Sequence, residues 1–270
     1  MTKIRTVSPR KWTGLLLAST AVGASLGAGL AEARMAPPVM PQDQTVWLAQ
    51  AEGGEGGEAG AVASVAPETA YLVRLAIVEG HLIAADALYA KGLTDEAIGL
   101  SYHPEAEMMA EVRQSLAAHG QEDFTPAMQV FSEVMESGAP VTEVEAALVA
   151  FQAAVAGAVN AEAPDARERF TVAVAVLKAA AAEYSGSIEA GAVTDIMAYN
   201  EAQAFVDVAR AMVGQVGGDA KLDALVGRAL AAMEPAAEAF GMVDGTFTAN
   251  DPAILMGVAA RVELIASQVR

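Results

Sequence analysis

Cysteine is absent from the 270 residues. That excludes a disulfide framework, thiolate metal ligation, a cysteine nucleophile and haem attached through C-x-x-C-H, and it leaves packing alone to hold the fold, even in an oxidising compartment. Aromatic residues are scarce at 5%, and alanine dominates a hydrophobic share of 54%, a balance that favours close-packed helices over a sheet rich in aromatic and β-branched side chains. Histidine occurs only at positions 81, 103 and 119. The chain has no G-x-S-x-G elbow, P-loop, Rossmann glycine run or H-E-x-x-H, and no nucleophile is seen beside its base, so it is not expected to be an enzyme. Positive charge is also short, with 16 lysines and arginines against 34 acids. So acidic a chain repels nucleic acid and anionic lipid and attracts cations or a basic partner.

What is present begins with a secretory leader over residues 1–33. A basic start ends at Arg10-Lys11, an apolar stretch runs from Trp12 to Leu30, and Ala31-Glu32-Ala33 forms a small-x-small cleavage site. Cleavage after Ala33 removes Lys3, Arg5, Arg10, Lys11 and Glu32 and leaves 12 basic and 33 acidic residues, a formal charge of −21. The exported product is expected to be periplasmic and soluble, with no further segment long and apolar enough to enter a membrane. Residues 34–66 hold Pro37, Pro38, Pro41 and the run Glu52-Gly-Gly-Glu55-Gly-Gly-Glu58-Ala-Gly60, which reads as a disordered spacer whose carboxylates hold no fixed geometry.

From residue 67 to 270 the pattern is all-α, an up-and-down antiparallel bundle or array of about eight helices joined by short loops. Pro67 suits a first turn, and the helix it opens runs to about Lys91 before Gly92. Thr94 caps a short helix, and His103-Pro104 opens one lasting to about His119. Pro126 begins the next. Thr142 with Glu145 has capping-box spacing, as a start for a helix towards Asn160. Pro164-Asp165, Thr194, Asp219 and Asn250-Asp251-Pro252 start the rest, with a kink at Pro235. No run alternates like a strand, and no internal repeat of 20 to 50 residues keeps its key positions.

The first of these helices is apolar on nearly every side, which places it in the middle of the fold. His81 shares a stripe with Ile77, Ala85 and Leu88 and is expected to be buried; Glu79, about 200° away around the axis, cannot serve the same site. His103, Glu107 and Glu111 fall at i, i+4 and i+8 along one edge. An imidazole with a carboxylate one turn along is half a site for zinc, iron or manganese, and Met108 and Met109 beside it would tilt it toward copper. The bland alternative is a helix cap with Glu105 and Glu107 complementing the dipole. His119, followed by glycine, reads as a solvated helix end. Met197, Glu201, Phe205, Val208 and Met212 form a stripe with one carboxylate in an apolar seam. A buried glutamate needs a partner, and His81, His103, Arg74 or a bound cation would supply it. Tyr199 lies on a neighbouring edge as a further oxygen donor.

At Glu79-Gly80-His81-Leu82, Leu88-Tyr89, His103-Pro104-x-x-Glu107, Tyr199-x-Glu201 and Phe205 the chain resembles a group of exported helical proteins of alphaproteobacteria, over roughly residues 68–212. More loosely it resembles the imelysin-like proteins, including the periplasmic component of ferrous-iron uptake. In that signature glutamate follows histidine by three, whereas here position 106 is alanine and the acid is Glu107. The resemblance implies an iron or other metal site. The residues together lead to a metal-binding protein without turnover in which His81, His103, Glu107 and Glu201 converge, with Tyr199 as a fifth participant. A scaffold whose acidic surface docks a basic periplasmic or membrane-bound protein, and a helical groove for a hydrophobic ligand or haem, are the alternatives.

Overall fold

The computed structural model describes residues 55–270, with side chains from Gly57 onward. The leader 1–33 and the proline-rich part of the expected spacer lie outside the described residues. Those that are described form a helical bundle of eleven α-helical segments, against about eight expected and nine starts read from the sequence, and two features account for the two beyond those starts. The glycine-glutamate run is itself a helix, α1 (Glu55–Ala63), and the helix from His103 breaks into α4 (His103–Glu107) and α5 (Met109–Ala118) at Met108, whose φ is −144°. The remainder are α2 (Pro67–Ala90), α3 (Thr94–Ser101), α6 (Thr125–Glu136), α7 (Val141–Ala161), α8 (Ala166–Gly186), α9 (Ile196–Gly214), α10 (Ala220–Met233) and α11 (Ala253–Ala266).

The middle of the bundle is α2, packed against α3, α7, α8 and α9, while α8 carries α1 and α11 on its other sides. Leu75, Ile77, Val78, Leu82, Ala85 and Leu88 of α2 are fully enclosed. Each large aliphatic side chain among them contributes ~1.5–3 kcal/mol by leaving water, so the helix that holds His81 is anchored along its whole length.

The helix starts correct part of the capping expectation. Asp165 forms a reciprocal capping box with Glu168 at 2.8 and 2.9 Å, and Asp219 caps α10 as expected, accepting from Leu222 N–H at 2.9 Å. Thr94 and Thr142 instead lie inside their helices without capping, and Asp195 rather than Thr194 caps α9, accepting from Ala198 N–H at 3.0 Å. An aspartate carboxylate meets an N-terminal N–H with full charge, which a threonine hydroxyl next to it does not. Pro235 ends α10 in a 3-10 turn, Glu234–Ala239, instead of kinking it.

The fold is all-α, as expected, with two short hairpins that the sequence pattern does not show: Ile188–Glu189 pairs with Ala192–Val193, and Met242–Val243 with Thr246–Phe247. Their turns, Ala190-Gly191 and Asp244-Gly245, have positive φ at both residues, the conformation of a tight two-residue hairpin. Strands of two residues are too short to show alternation. Helix α7 corrects a further reading: at 21 residues and mean hydropathy 1.5 it is long and apolar enough, by length and composition, to cross a membrane. One face of it, with Val144, Leu148, Phe151 and Val155, is buried.

Candidate metal centre

His81 projects from the fully enclosed stretch of α2 and is 1% exposed. Its Nδ1–H donates to the Ile77 carbonyl one turn back at 2.9 Å, which fixes the ring and leaves Nε2 as the outward-facing atom. Around Nε2 stand Glu58 Oε1 of α1 at 3.2 Å, Glu107 Oε2 of α4 at 3.3 Å and Glu201 Oε1 of α9 at 3.3 Å. His103 Nδ1 lies 3.3 Å from the same Glu201 oxygen and 3.8 Å from Glu107 Oε1. Four separate helices thus deliver two imidazoles and three carboxylates to one point.

The spacing carries chemical information. Nε2 is within reach of three oxygens and aligned with none, so it makes no hydrogen bond; Glu201 Oε1 makes none either. Two donor atoms each about 2.1 Å from a shared ion, and about 90–110° apart at it, stand roughly 3.0–3.4 Å from one another. The contacts of 3.2–3.3 Å around His81 match that geometry. An imidazole lone pair facing three carboxylates is repelled unless a cation lies between them, and a proton on Nε2 satisfies one oxygen where a metal ion satisfies all. The atoms form two overlapping triads able to hold a metal ion, His81 with His103 and Glu201, and His81 with Glu58 and Glu107.

The ionisation of the groups shows the same demand for positive charge. Burial by itself depresses the His81 imidazole, but the carboxylates of Glu58, Glu201 and Glu107 and the Ile77 carbonyl override it and lift the pKa to about 10. Glu58 is pushed up to about 7 by burial, against the pull of His81 and with the repulsion of Glu201 and Glu107. The Glu201 carboxylate, ahead of an opposing effect of burial, holds His103 above its ordinary value. Among the described residues no lysine or arginine pairs with Glu58, Glu107 or Glu201.

A cavity of about 740 Å³ reaches the site, lined by Glu58 and Glu107 together with Val62, Ala70, Arg74 and Glu111. It gives solvent and solutes access to the centre from the side of Glu107, which retains 21% side-chain exposure, while the His103 side chain is itself 33% exposed.

The structure therefore brings together His81, His103, Glu107 and Glu201 and leaves Tyr199 outside. The Tyr199 hydroxyl accepts from Gly241 N–H at 2.8 Å and donates to the Thr248 carbonyl at 3.1 Å, tying α9 to the second hairpin among the rings of Tyr184, Phe240 and Phe247. Two residues from Glu201, it points about 200° away around the helix. Arg74 lines the cavity and forms no pair with Glu201. Met109 is core, and Glu111 is carried onto α5 by the break at Met108. His119 is not simply solvated: it stacks on Tyr71 with centroids 4.7 Å apart and pairs with Glu162 at 2.9 Å. Glu79 is turned away, as expected, and accepts from Gln152 at 3.1 Å.

Glu58 is the site residue that the sequence reading omits, and within the expected spacer residues 55–63 are helical rather than a tether. Glu58 is 4% exposed, because Gly57 lets α1 settle onto α8. A Cβ at Gly57 would stand 2.7 Å from Ala182 Cβ and 2.9 Å from Glu183 Oε1. Glu183 of α8 is the second omission: it is 1% exposed, with neither oxygen partnered. Burial, reinforced by Glu201 and Glu58, pushes its pKa up to about 9.

No family model, no curated protein and no solved structure matches this chain.

Proposed function

We propose that the chain is an exported, periplasmic metal-binding protein that holds iron or another divalent or trivalent cation without catalytic turnover. The observation that carries this reading is the position of His81 Nε2, 3.2–3.3 Å from carboxylates of three different helices and in hydrogen-bond alignment with none. Two imidazole nitrogens with carboxylate oxygens suit iron, manganese or zinc, the borderline and hard ions. The buried negative charge supplies affinity, the Ile77 carbonyl sets the imidazole tautomer that a metal requires, and the cavity beside Glu58 and Glu107 supplies a route for the ion.

The test is equilibrium dialysis of the purified mature protein, freed of metal by chelation, against iron, manganese, zinc and copper, with bound metal measured by elemental analysis. Stoichiometric retention of an ion, lost in His81→Ala and reduced in His103→Ala, is the expected result. No retained metal, or equal content in His81→Ala, removes the reading.

A further inference from the structure

The cluster offers more than one ion takes up. Besides the two imidazoles it contains Glu58, Glu107 and Glu201, from α1, α4 and α9, and a fourth glutamate, Glu183 of α8, is buried close enough to feel the charges of Glu201 and Glu58. Two of them stand between the imidazoles. Glu107 turns one oxygen to His81, at 3.3 Å, and the other to His103, at 3.8 Å. Glu201 Oε1 lies 3.3 Å from both rings. The two metal-holding triads share His81, and one extends to His103 while the other extends to Glu58.

Glu183 lies beside the set, in neither triad. It is as deeply enclosed as His81, and both of its oxygens lack a hydrogen-bond partner. It lies against the backbone of α1 at Gly57, the residue before Glu58. A buried carboxylate with no donor is expensive to keep, and no lysine or arginine among the described residues pairs with it. With their protons displaced by metal, the four carboxylates carry four negative charges beside two neutral imidazoles, which two divalent ions balance where one does not.

We propose that the cluster is a dinuclear site in which Glu107 and Glu201 bridge two cations, His103 serving one, His81 and Glu58 the other, and Glu183 supplying the remaining carboxylate. Two ions sharing bridging carboxylates lie about 3.5–4 Å apart. This rests on the metal-binding reading above and adds the second ion and the role of Glu183.

The experiment loads metal-free mature protein with excess Mn(II), removes unbound ion by gel filtration, counts manganese per chain by elemental analysis and records the electron paramagnetic resonance spectrum. Two manganese ions per chain with an exchange-coupled spectrum are expected. In Glu183→Gln, which keeps the shape and removes a buried charge, the count falls to one, the spectrum becomes that of isolated Mn(II), and helicity by circular dichroism is unchanged. Saturation of the native chain at one ion per chain overturns the dinuclear proposal and leaves the metal-binding function standing. Two coupled ions in Glu183→Gln overturn the role given to Glu183; no bound manganese overturns the dinuclear proposal, and the metal-binding reading falls with it only where iron, zinc and copper are not retained either. If Glu183→Gln does not fold, the native stoichiometry and spectrum still decide the second ion.

Discussion

Gly80 of α2 lies directly against Phe205 of α9: a Cβ built at Gly80 would fall on the Cδ1–Cε1 edge of the phenyl ring. The same ring meets His81 edge-on with centroids 5.7 Å apart. The missing side chain at 80 thus lets α2 and α9 approach closely enough for His81 to reach Glu201. Gly80→Ala is expected to force the helices apart or the ring off its rotamer, at a cost of about 1–3 kcal/mol. Metal affinity falls at least about tenfold although no ligand is touched, as for other groups that only orient ligands. Thermal unfolding and metal titration of this one variant check both effects; unchanged affinity would mean that the approach of the two helices does not position the site.

Protons and metal compete for the same atoms. A coordinating imidazole must be unprotonated, and His81 keeps its proton up to a pKa of about 10 in the metal-free protein. Below that value each unit fall in pH weakens metal binding up to tenfold for each proton displaced. Binding at neutral pH is expected to release protons, with affinity rising as pH increases toward 10. Titration calorimetry in buffers of different ionisation enthalpy measures the protons released, and release of none contradicts ligation by His81.

The same groups set the stability of the metal-free protein. His81 gains protons on folding, so its contribution is full below its ordinary value of 6.5 and lost as pH rises through about 10. Glu58 and Glu183 also hold protons more tightly in the fold, to about 7 and about 9, and their cost grows as pH rises past the ordinary 4.5. All three make the native state bind more protons than the unfolded chain, so the melting temperature of the chelated protein is expected to fall from pH 5 to pH 10. Saturating metal at about 100 times its Kd adds about 2.7 kcal/mol, or roughly 5–10 °C for a domain of this size, and weakens the pH dependence. Melting curves with and without metal across that range provide the check.

Much of this was readable in the chain. Glycine, proline and aspartate mark most of the helix ends, and the uniformly apolar α2 implied a central helix with His81 inside it. Glu201 was found because a carboxylate in an apolar stripe needs a partner. The same signal existed at Glu183, which shares a buried stripe with Val176 and Ala180. Glu58 was hidden by composition: glycine pairs between the glutamates read as a flexible tether, whereas here Gly57 provides close contact between helices. Asp244-Gly245 was a legible hairpin turn between strands too short to see. Tyr199 was a geometric misreading, since the rotation that separates Glu79 from His81 also separates Tyr199 from Glu201. Tyr199→Phe is accordingly expected to leave metal content unchanged while costing about 1–3 kcal/mol, because the Gly241 N–H loses its acceptor. Loss of metal with intact stability would return Tyr199 to the site.

Helix α1 offers the sharpest contrast between tether and ligand. If the glycine-rich segment were only a spacer, a chain beginning at Pro67 would bind metal as the full mature protein does. In the structure Ala61 and Glu58 of α1 are buried, and Glu58 approaches His81 more closely than the other carboxylates do. Removing residues 34–66 is therefore expected to keep the helical signal of the remaining bundle and to weaken metal binding about 10–100-fold or more, with Glu58→Gln reproducing most of the loss. Gly57→Val substitutes none of the proposed ligands but drives a side chain into Ala182 and Glu183. It should weaken binding by lifting α1 from α8, and protease cleavage within residues 55–63 should become faster in step. A shortened chain or a Gly57→Val protein with native affinity would show that the bundle holds its ion without α1, and that the contacts of Glu58 are incidental to the site.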